Sequence, residues 1–403
     1  MSSVTLPHAP WRERTGLNAL CDALGAAAGG ARFVGGIVRD TLIGIDAHDI
    51  DIATRLPPDD VMARLRAAGI KAVPTGIAHG TITAILPDGP VEVTTLRRDV
   101  ATDGRHATIA FSDDWREDAA RRDFTINALY ADPASGAVFD YFGGLSDLAA
   151  RHVRFIGDPL KRIAEDHLRI LRFFRFLARF GDAPDVDGLA ACAARANDLM
   201  ALSRERIADE LLKLLVTDRA PDTAALMIAK GIFVPVLPEV TSADRLGRVA
   251  AVESAAGLAP DPVRRLAALL PDDPVLGDQL GARLKLSNVQ RKRLSSALTP
   301  ETGAPHALGY RLGLEGARDR LALHLPLAEA IGAIAVLRDW HAPRLGVSGG
   351  SLVTMGLSRG PDVARALRQI EDQWVAEGFP NTQRVAAITA EVVAQALRAS
   401  TSA

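Results

Sequence analysis

The sequence predicts an α+β chain in two parts, a small mixed sheet with helices at the N-terminal end followed by an all-α region. Three observations predict it. Residues 33–54 read as strand, tight turn, short helix, loop and strand. Residues 70–96 read as a strand and then a hairpin. From residue 158 onward the apolar positions recur only at helical spacing. The expected division is a head over 1–150, a helical neck over 151–220, and a helical body and tail over 221–403. At 403 residues the chain exceeds one ordinary core, so two to four domains or subdomains are expected.

Composition narrows the function classes. The chain is 48% hydrophobic and 24% charged, which fits a globular protein without a membrane span. Its two cysteines, Cys21 and Cys192, form no CxxC or Cys/His cluster, so neither a disulfide framework nor a structural zinc site is expected. The first residues, MSSVTLPHAPWRER, hold no apolar signal core, and a cytoplasmic location is the expectation. A net charge of −2 means that any nucleic-acid surface must be local.

Taken in order, Trp11 to Ala28 reads as an amphipathic helix with Leu17, Leu20, Cys21 and Leu24 on one face, ended by Gly29-Gly30. In FVGGIVRDTLIGIDAHDIDIAT, Phe33-Val34 open a strand and Gly35-Gly36 allow a turn with no Cβ in the way. His48 to Thr54 then alternates, with Asp49 and Asp51 on one face and Ile50 and Ile52 on the other. Two carboxylates about 4 Å apart at an effective dielectric of about 20 repel by roughly 4 kcal/mol. A divalent cation relieves such repulsion, and a Gly-Gly turn lets backbone N–H groups approach a phosphate. The competing reading is a surface strand with two solvated Asp.

A helix is expected from Pro57-Pro58 to Ala68, a strand over 70–73, and strands over 81–86 and 91–96 joined by Pro87-Asp88-Gly89-Pro90. Glu92, a charge in an apolar strand, is a third candidate carboxylate; otherwise it is an edge-strand charge. Residues 97–116 are polar and weakly periodic, and read either as a mobile loop near an active site or as a surface excursion.

In RRDFTINALY, Asp123 and Thr125 can cap a helix, which would set Arg121 and Arg122 against the helix dipole. A bound anion such as a triphosphate would remove that conflict; salt bridges to Asp118 or Asp123 would also.

Residues 158–180, DPLKRIAEDHLRILRFFRFLARF, give the strongest helix in the chain. Ile163, Ile170, Leu171, Phe174 and Leu177 cluster on one side, and Arg162, Asp166, Arg169 and Arg172 on the other. Arg175 lies roughly opposite Asp166 unless the helix bends. From Arg151 to Arg179 eight Lys/Arg face three Asp/Glu, which could be no more than a solvated basic face. Asp166 and Arg169, at i and i+3, also place an acceptor beside a donor fork. Such a pair matches the amine and ring-nitrogen edge of cytosine or adenine and rejects the reversed pattern of uracil and guanine. Further on, LSRERIADELLKLL reads as a helix capped by Ser203 with an Arg206–Glu210 pair, and KLSNVQRKRL as a basic helix that touches RNA phosphates or is plain surface. Ser348 to Ser351 and the stretch from Ser400 read as loop or tail. No HxxxHD-type cluster marks a second metal site.

Together these motifs resemble the bacterial tRNA nucleotidyltransferase and poly(A) polymerase family, class II of the polymerase-β-like nucleotidyltransferases. The resemblance runs through VGGIVRDTLIG, HDIDIAT, GTITAIL with VEVTTLRRD, DGRH, RRDFTINAL, EDHLRILRFFRF and LSRERIADELLKLL. It is dense over the first 215 residues, then sparse until MGLSRGPDVARAL and GFPNT. It implies a polymerase-β-like head. It also implies Asp49 and Asp51 as holders of divalent metal, Mg²⁺, with Glu92 as a third acid. Gly36, Arg39 and Arg122 would contact the triphosphate and ribose. Asp166 and Arg169 would read C or A, Arg172 and Arg175 would support that template or the phosphates, and residues 97–116 would be a loop linked to the switch from C to A. His48 and His167 depart from the family pattern, where Lys and a small residue are common. The implied activity is transfer of CMP and AMP from CTP and ATP to the tRNA 3′ end. The rivals are a poly(A) polymerase, a partial CC- or A-adding enzyme, and a non-catalytic RNA-binding protein. No protein partner is implied.

Overall fold

The computed structural model describes residues 4–47, 49–103 and 106–401; His48, and Gly104 and Arg105 of the DGRH motif, lie outside them. The chain divides into two compact units, Met1–Pro238 and Glu239–Ala403.

The first unit opens less regularly than its apolar pattern predicts. The expected single helix over 11–28 is a 3₁₀ turn Pro10–Glu13, helix α1 (Leu17–Ala23) and a second 3₁₀ turn Ala26–Ala28. Gly16 and Gly25, at φ +86° and +72°, break it, because a left-handed residue cannot continue a right-handed helix. The predicted apolar face is nonetheless the buried one, with Leu17, Leu20 and Leu24 at 1% exposure or less.

Strand β1 (Ala31–Val34), helix α2 (Gly36–Leu42) and strand β2 (Asp51–Thr54) follow the predicted order. Strand β2 begins at Asp51, so Asp49 lies in the irregular segment ahead of it rather than two places along one strand face. Helix α3 (Pro58–Ala67), β3 (Lys71–Gly76), β4 (Thr81–Leu86) and β5 (Gly89–Thr95) match the expected elements closely. Residues 97–111, read as a loop, form an antiparallel hairpin, β6 (Arg97–Asp103) and β7 (His106–Phe111). Cross-strand pairing overrides a local pattern too weak to announce a strand.

Helix α4 (Trp115–Ala120) ends at Arg121, and Thr125–Asn127 is only a 3₁₀ turn before β8 (Leu129–Ala131). Arg121 and Arg122 therefore sit at a helix C-terminus, where the dipole favours positive charge. The expected conflict does not exist. Strand β9 (Val138–Asp140) completes a seven-stranded sheet of order β3-β4-β5-β2-β1-β8-β9, antiparallel except for β2 beside β5. Helix α5 (Gly144–Ala149) and a short parallel pair, β10 (His152–Val153) and β11 (Ala183–Pro184), lead into the helical part of the unit.

The predicted helix over 158–180 is two helices, α6 (Pro159–Glu165) and α7 (Arg169–Phe180). Asp166 separates them in an extended conformation, φ −151° and ψ 107°, and its carboxylate accepts from the Leu168 amide. Phe124, Phe155, Phe173 and Phe176 stack where α7 meets the end of the sheet. Each such ring contributes roughly 2–3 kcal/mol on burial and holds α7 against the head. Helices α8 (Val186–Ala194), α9 (Arg204–Leu215) and α10 (Ala220–Ala229) close the unit. Ser203 precedes α9 without a side-chain cap bond, and the predicted Arg206–Glu210 pair is absent because both side chains turn to α7 and the break before it.

The second unit is helical among its described residues: α11 (Asp244–Ala256), α12 (Pro262–Ala267), α13 (Pro274–Arg283), α14 (Asn288–Ala297), α15 (Pro305–His324), α16 (Leu327–Ala335), α17 (Gly349–Thr354), α18 (Pro361–Ala376) and α19 (Thr382–Thr401). Two readings change here. Lys285 has φ +57° outside the basic helix, which starts at Asn288 with a Ser287–Gln290 capping box, and Ser348 caps α17 rather than lying in a loop. The stretch at Ser400 likewise belongs to a helix, α19. Arg264, 1% exposed, is held by Glu253, Asp319 and Glu315. Losing one partner from so buried a network costs about 3–5 kcal/mol. No helix of the described residues is long and apolar enough to cross a membrane.

Candidate active site

A cavity of about 700 Å³ in the first unit gathers residues from the Gly-Gly turn, the DxD segment, the RRDFTIN run and the helices over 158–180. Gly36, Arg39, Asp49, Asp51, Arg122, Asp166, Arg169, Arg172 and Arg175 all line it. Glu92 does not, but it is the registered partner of Asp51 across the parallel β2–β5 pair, and registered neighbours point to the same face.

The acidic wall is built by the start of β2. Burial pushes the Asp51 carboxyl up to about 6, helped by Glu92 and Asp49 against the opposing pull of Arg122. Among the described residues no Lys, Arg or His forms an ion pair with Asp49, Asp51 or Glu92. No three His, Cys, Asp or Glu side chains there close a metal cage either. Uncompensated oxygen donors in an open half-site fit a hard divalent cation that completes its shell with substrate phosphates and water. The donor set therefore accommodates a metal and does not by itself select which one.

The opposite wall is cationic and tightly ordered. Gly35, at φ +74°, makes the turn into α2, and a Cβ there would stand 3.3 Å from the Arg122 guanidinium. Arg39 is pinned by Asp40 at 2.7 Å and donates to the Asn127 side-chain oxygen. Asn127 donates in turn to Asp123 at 3.0 Å, and Arg172 donates to the other Asp123 oxygen at 2.8 Å. Arg175 donates to Glu210 at 2.6 Å, with Arg172 at 3.6 Å from the same carboxylate. One continuous chain of charge-assisted bonds thus runs from the Gly-Gly turn to α9.

Arg122 is oriented by Asp118. Asp118, 1% exposed, accepts from Arg121 at 2.8 Å, from Arg122 at 3.2 Å and from the Tyr130 hydroxyl at 2.7 Å. Burial opposes its charge, yet Arg122, Arg121 and Tyr130 hold the carboxyl at about 2. Asp123 is likewise held at about 2, burial being outweighed by Arg172, Asn127 and the Phe124 amide.

These depressed values set the sign of an acid effect. Stability from the two carboxylates is fully present above their ordinary unfolded range, about 3.9, and is lost as pH falls through about 2. Each contributes on the order of 2 kcal/mol. Urea unfolding at several pH values between about 5 and 2 is expected to show a fall that is shallower in Asp118→Asn. Equal slopes would contradict the assignment.

Asp166 and Arg169 are arranged differently from the i, i+3 pair expected. Asp166 stands at the helix break and is gripped by Arg206 at 2.8 and 3.1 Å. Arg169 donates to the Arg162 carbonyl at 2.8 Å and the Arg121 carbonyl at 3.1 Å, and pairs with Glu165. Each keeps its own partner, and both line the cavity. The same break lets Arg175 share the cavity with Asp166. His167 turns away, 3.6 Å from Asp198.

Sequence reasoning missed Asn127 and the cavity-lining roles of Arg97, Arg121, Asp123 and Phe176, as well as the supporting Arg206 and Glu210. Asp123 and Asn127 carry a signal in RRDFTIN, a buried polar run with no helix to cap. Arg206 and Glu210 carry none, because each looks complete as an i, i+4 pair.

The chain matches two family models, the Poly A polymerase head domain over residues 31–154 and the "Probable RNA and SrmB- binding site of polymerase A" over residues 186–244. It is 34% identical over 383 residues to CCA tRNA nucleotidyltransferase 1, mitochondrial, of Mus musculus, covering 90% of this chain and 87% of that one. It is 33% identical to the CCA-adding enzyme of Limosilactobacillus fermentum, covering 86% and 89%. The Bacillus stearothermophilus CCA-adding enzyme solved in complex with CTP superposes at a TM-score of 0.74 with 27% identity, covering 96% of this chain and 99% of that one. The Thermotoga maritima CCA-adding enzyme complexed with tRNA shares the fold at a TM-score of 0.70 and 19% identity, covering 98% and 100%. The chain belongs to the CCA-adding tRNA nucleotidyltransferase and poly(A) polymerase family.

Proposed function

We propose that this chain adds CMP and AMP, from CTP and ATP, to the 3′ end of tRNA with release of pyrophosphate. The observation that carries the reading is the convergence, on one cavity, of an acidic wall, an arginine wall and the Asp166–Arg169 pair. Acids alone would suit any metal site, and arginines alone any anion. An acceptor and donor beside both suit a nucleotide held at its two ends.

In the reaction the 3′-hydroxyl oxygen of the RNA attacks the α-phosphorus. The bond from that phosphorus to the bridging oxygen breaks, pyrophosphate leaves with the bonding electrons, and the hydroxyl proton passes to solvent. Asp49 and Asp51, with Glu92 beside them, would hold the divalent cation, which we take to be Mg²⁺. When bound, it supplies charge that neutralises the phosphates and acidifies the hydroxyl. Gly36, Arg39 and Arg122 orient the triphosphate and ribose, and Arg172 and Arg175 support its anionic end. Asp166 accepts from the exocyclic amine of C or A, and Arg169 donates to the ring nitrogen. These groups are fixed before the substrate arrives, so positioning and charge neutralisation carry the rate.

The basic α14 and the other helices of 221–403 are assigned to the tRNA body. We place the protein in the cytoplasm, a reading supported by two buried, unpaired cysteines that suit a reducing compartment. Fractionation with the protein in an oxidising compartment would contradict that.

End-trimmed tRNA incubated with each nucleotide singly tests the activity. CTP alone is expected to give two additions, and ATP alone none until two C are in place. Unlimited A on any RNA would instead indicate a poly(A) polymerase.

A further inference from the structure

A second cavity, of about 560 Å³, opens beside the first, and Arg175 lines both. Arg179 of α7 and Lys213 of α9 supply its charge, and Ile45, Ala178 and Val216 its apolar floor. Among the described residues neither new cation pairs with Asp123 or Glu210, the acids that hold Arg172 and Arg175. Arg179 stands 3.7 Å from Asp40, a carboxylate already held by Arg39 at 2.7 Å, and its side chain is 44% exposed. Lys213 pairs with Asp209 of its own helix and is 56% exposed. Among the described residues one acid, Asp218, lines the same cavity.

Helix α7 acts as a ruler between the two cavities. The base-reading end lies at Asp166 and Arg169, then come Arg172 and Arg175, and Arg179 is ten residues beyond Arg169, about 15 Å further along the axis. Helix α9 runs beside it in the same order, with Arg206 on Asp166, Glu210 on Arg172 and Arg175, and Lys213 at the second cavity. The second cavity therefore adjoins the phosphate end of the site, not the base end. Asp40, next to Arg39 at the Gly-Gly turn, links Arg179 to that same end.

We propose that this cavity is the departure subsite for the inorganic pyrophosphate product, with Arg175 handing the anion from the first cavity to Arg179 and Lys213. The inference rests on the activity proposed above. A released diphosphate needs a charged path that does not pass back over the new RNA end. Loosely paired, exposed cations suit this task, since a tight site would retain the product and slow the next addition.

The test compares the wild-type protein with the double variant Arg179→Ala/Lys213→Ala in two measurements. The first is calorimetric binding of inorganic pyrophosphate alone; the second is inhibition of single CMP addition by added pyrophosphate. The variant is expected to bind pyrophosphate about tenfold more weakly and to raise its inhibition constant as much, one charge-assisted contact being worth about a decade. Its KM values for CTP and tRNA are expected to stay unchanged, with the melting temperature as a control for folding. Unchanged pyrophosphate binding overturns the proposal. So does a raised KM for tRNA with pyrophosphate inhibition unaltered, which would make the cavity an RNA-backbone contact. A wild-type protein that adds no nucleotide defeats the parent activity, and the calorimetric arm still decides whether the cavity takes the anion.

Discussion

Asp51→Asn is expected to lower CMP incorporation by about three orders of magnitude or more, equivalent to about 4 kcal/mol of lost transition-state stabilisation. Its tRNA affinity is expected to remain near the wild-type value. Asn preserves the shape of the side chain at the head of β2, so the strand and its pairing with Glu92 survive. What disappears is one negative oxygen from a half-site that must offset the charge of a triphosphate.

The same variant has an opposite effect on stability, and the pair of results is diagnostic. Burial, Glu92 and Asp49 raise the Asp51 carboxyl to about 6. A raised carboxyl favours the folded state while protonated, and that contribution is lost as pH rises from its unfolded range through about 6. Without divalent cation, Asp51→Asn should therefore melt higher than wild type at pH about 7.5 and level with it near pH 4. Thermal unfolding at both pH values, beside an incorporation assay, reads the two effects together. Full activity in the variant, or a lower melting temperature at neutral pH, would remove Asp51 from the acidic wall.

The second large effect concerns which nucleotide enters. Asp166→Ala removes the acceptor for the exocyclic amine while leaving Arg169 held by the Arg162 and Arg121 carbonyls. Preference for CTP over UTP is expected to fall by about a hundredfold, because a buried hydrogen-bond mismatch of about 2–3 kcal/mol no longer penalises the wrong base. Arg206→Ala, which leaves the Asp166 carboxylate in place but unheld, should lower the same ratio by less. The check is kcat/KM for all four nucleotides on one trimmed tRNA. A variant that still takes only C and A would place selection elsewhere.

Much of this site was legible in the sequence because its parts are local. The Gly-Gly turn, the Asp49–Asp51 spacing and the apolar strand carrying Glu92 are set by short-range chemistry, and β1, α2, β2 and β5 form there. Discontinuities were harder to see. Residues 158–180 keep helical periodicity across Asp166, so no pattern reveals that this residue leaves the helix and turns its carboxylate to Arg206. The hairpin at 97–111 depends on cross-strand pairing that no local pattern announces. Arg121 and Arg122 were given the wrong helix end because Asp123 and Thr125 look like caps. Only the tertiary bond from Thr125 to Asp147, at 2.5 Å, shows where that hydroxyl goes. Ion pairs were the least legible part. Arg206 and Glu210 satisfy each other in one dimension and separate partners in three.

On the proposed reading this chain carries its own template for a fixed nucleotide order. The most direct test is the sequence of the product made on end-trimmed tRNA with all four nucleotides present and a divalent cation supplied. The expected product ends in C, C and A and grows no further. A run of A, a product stopping after CC, or any U or G at the new end would contradict it.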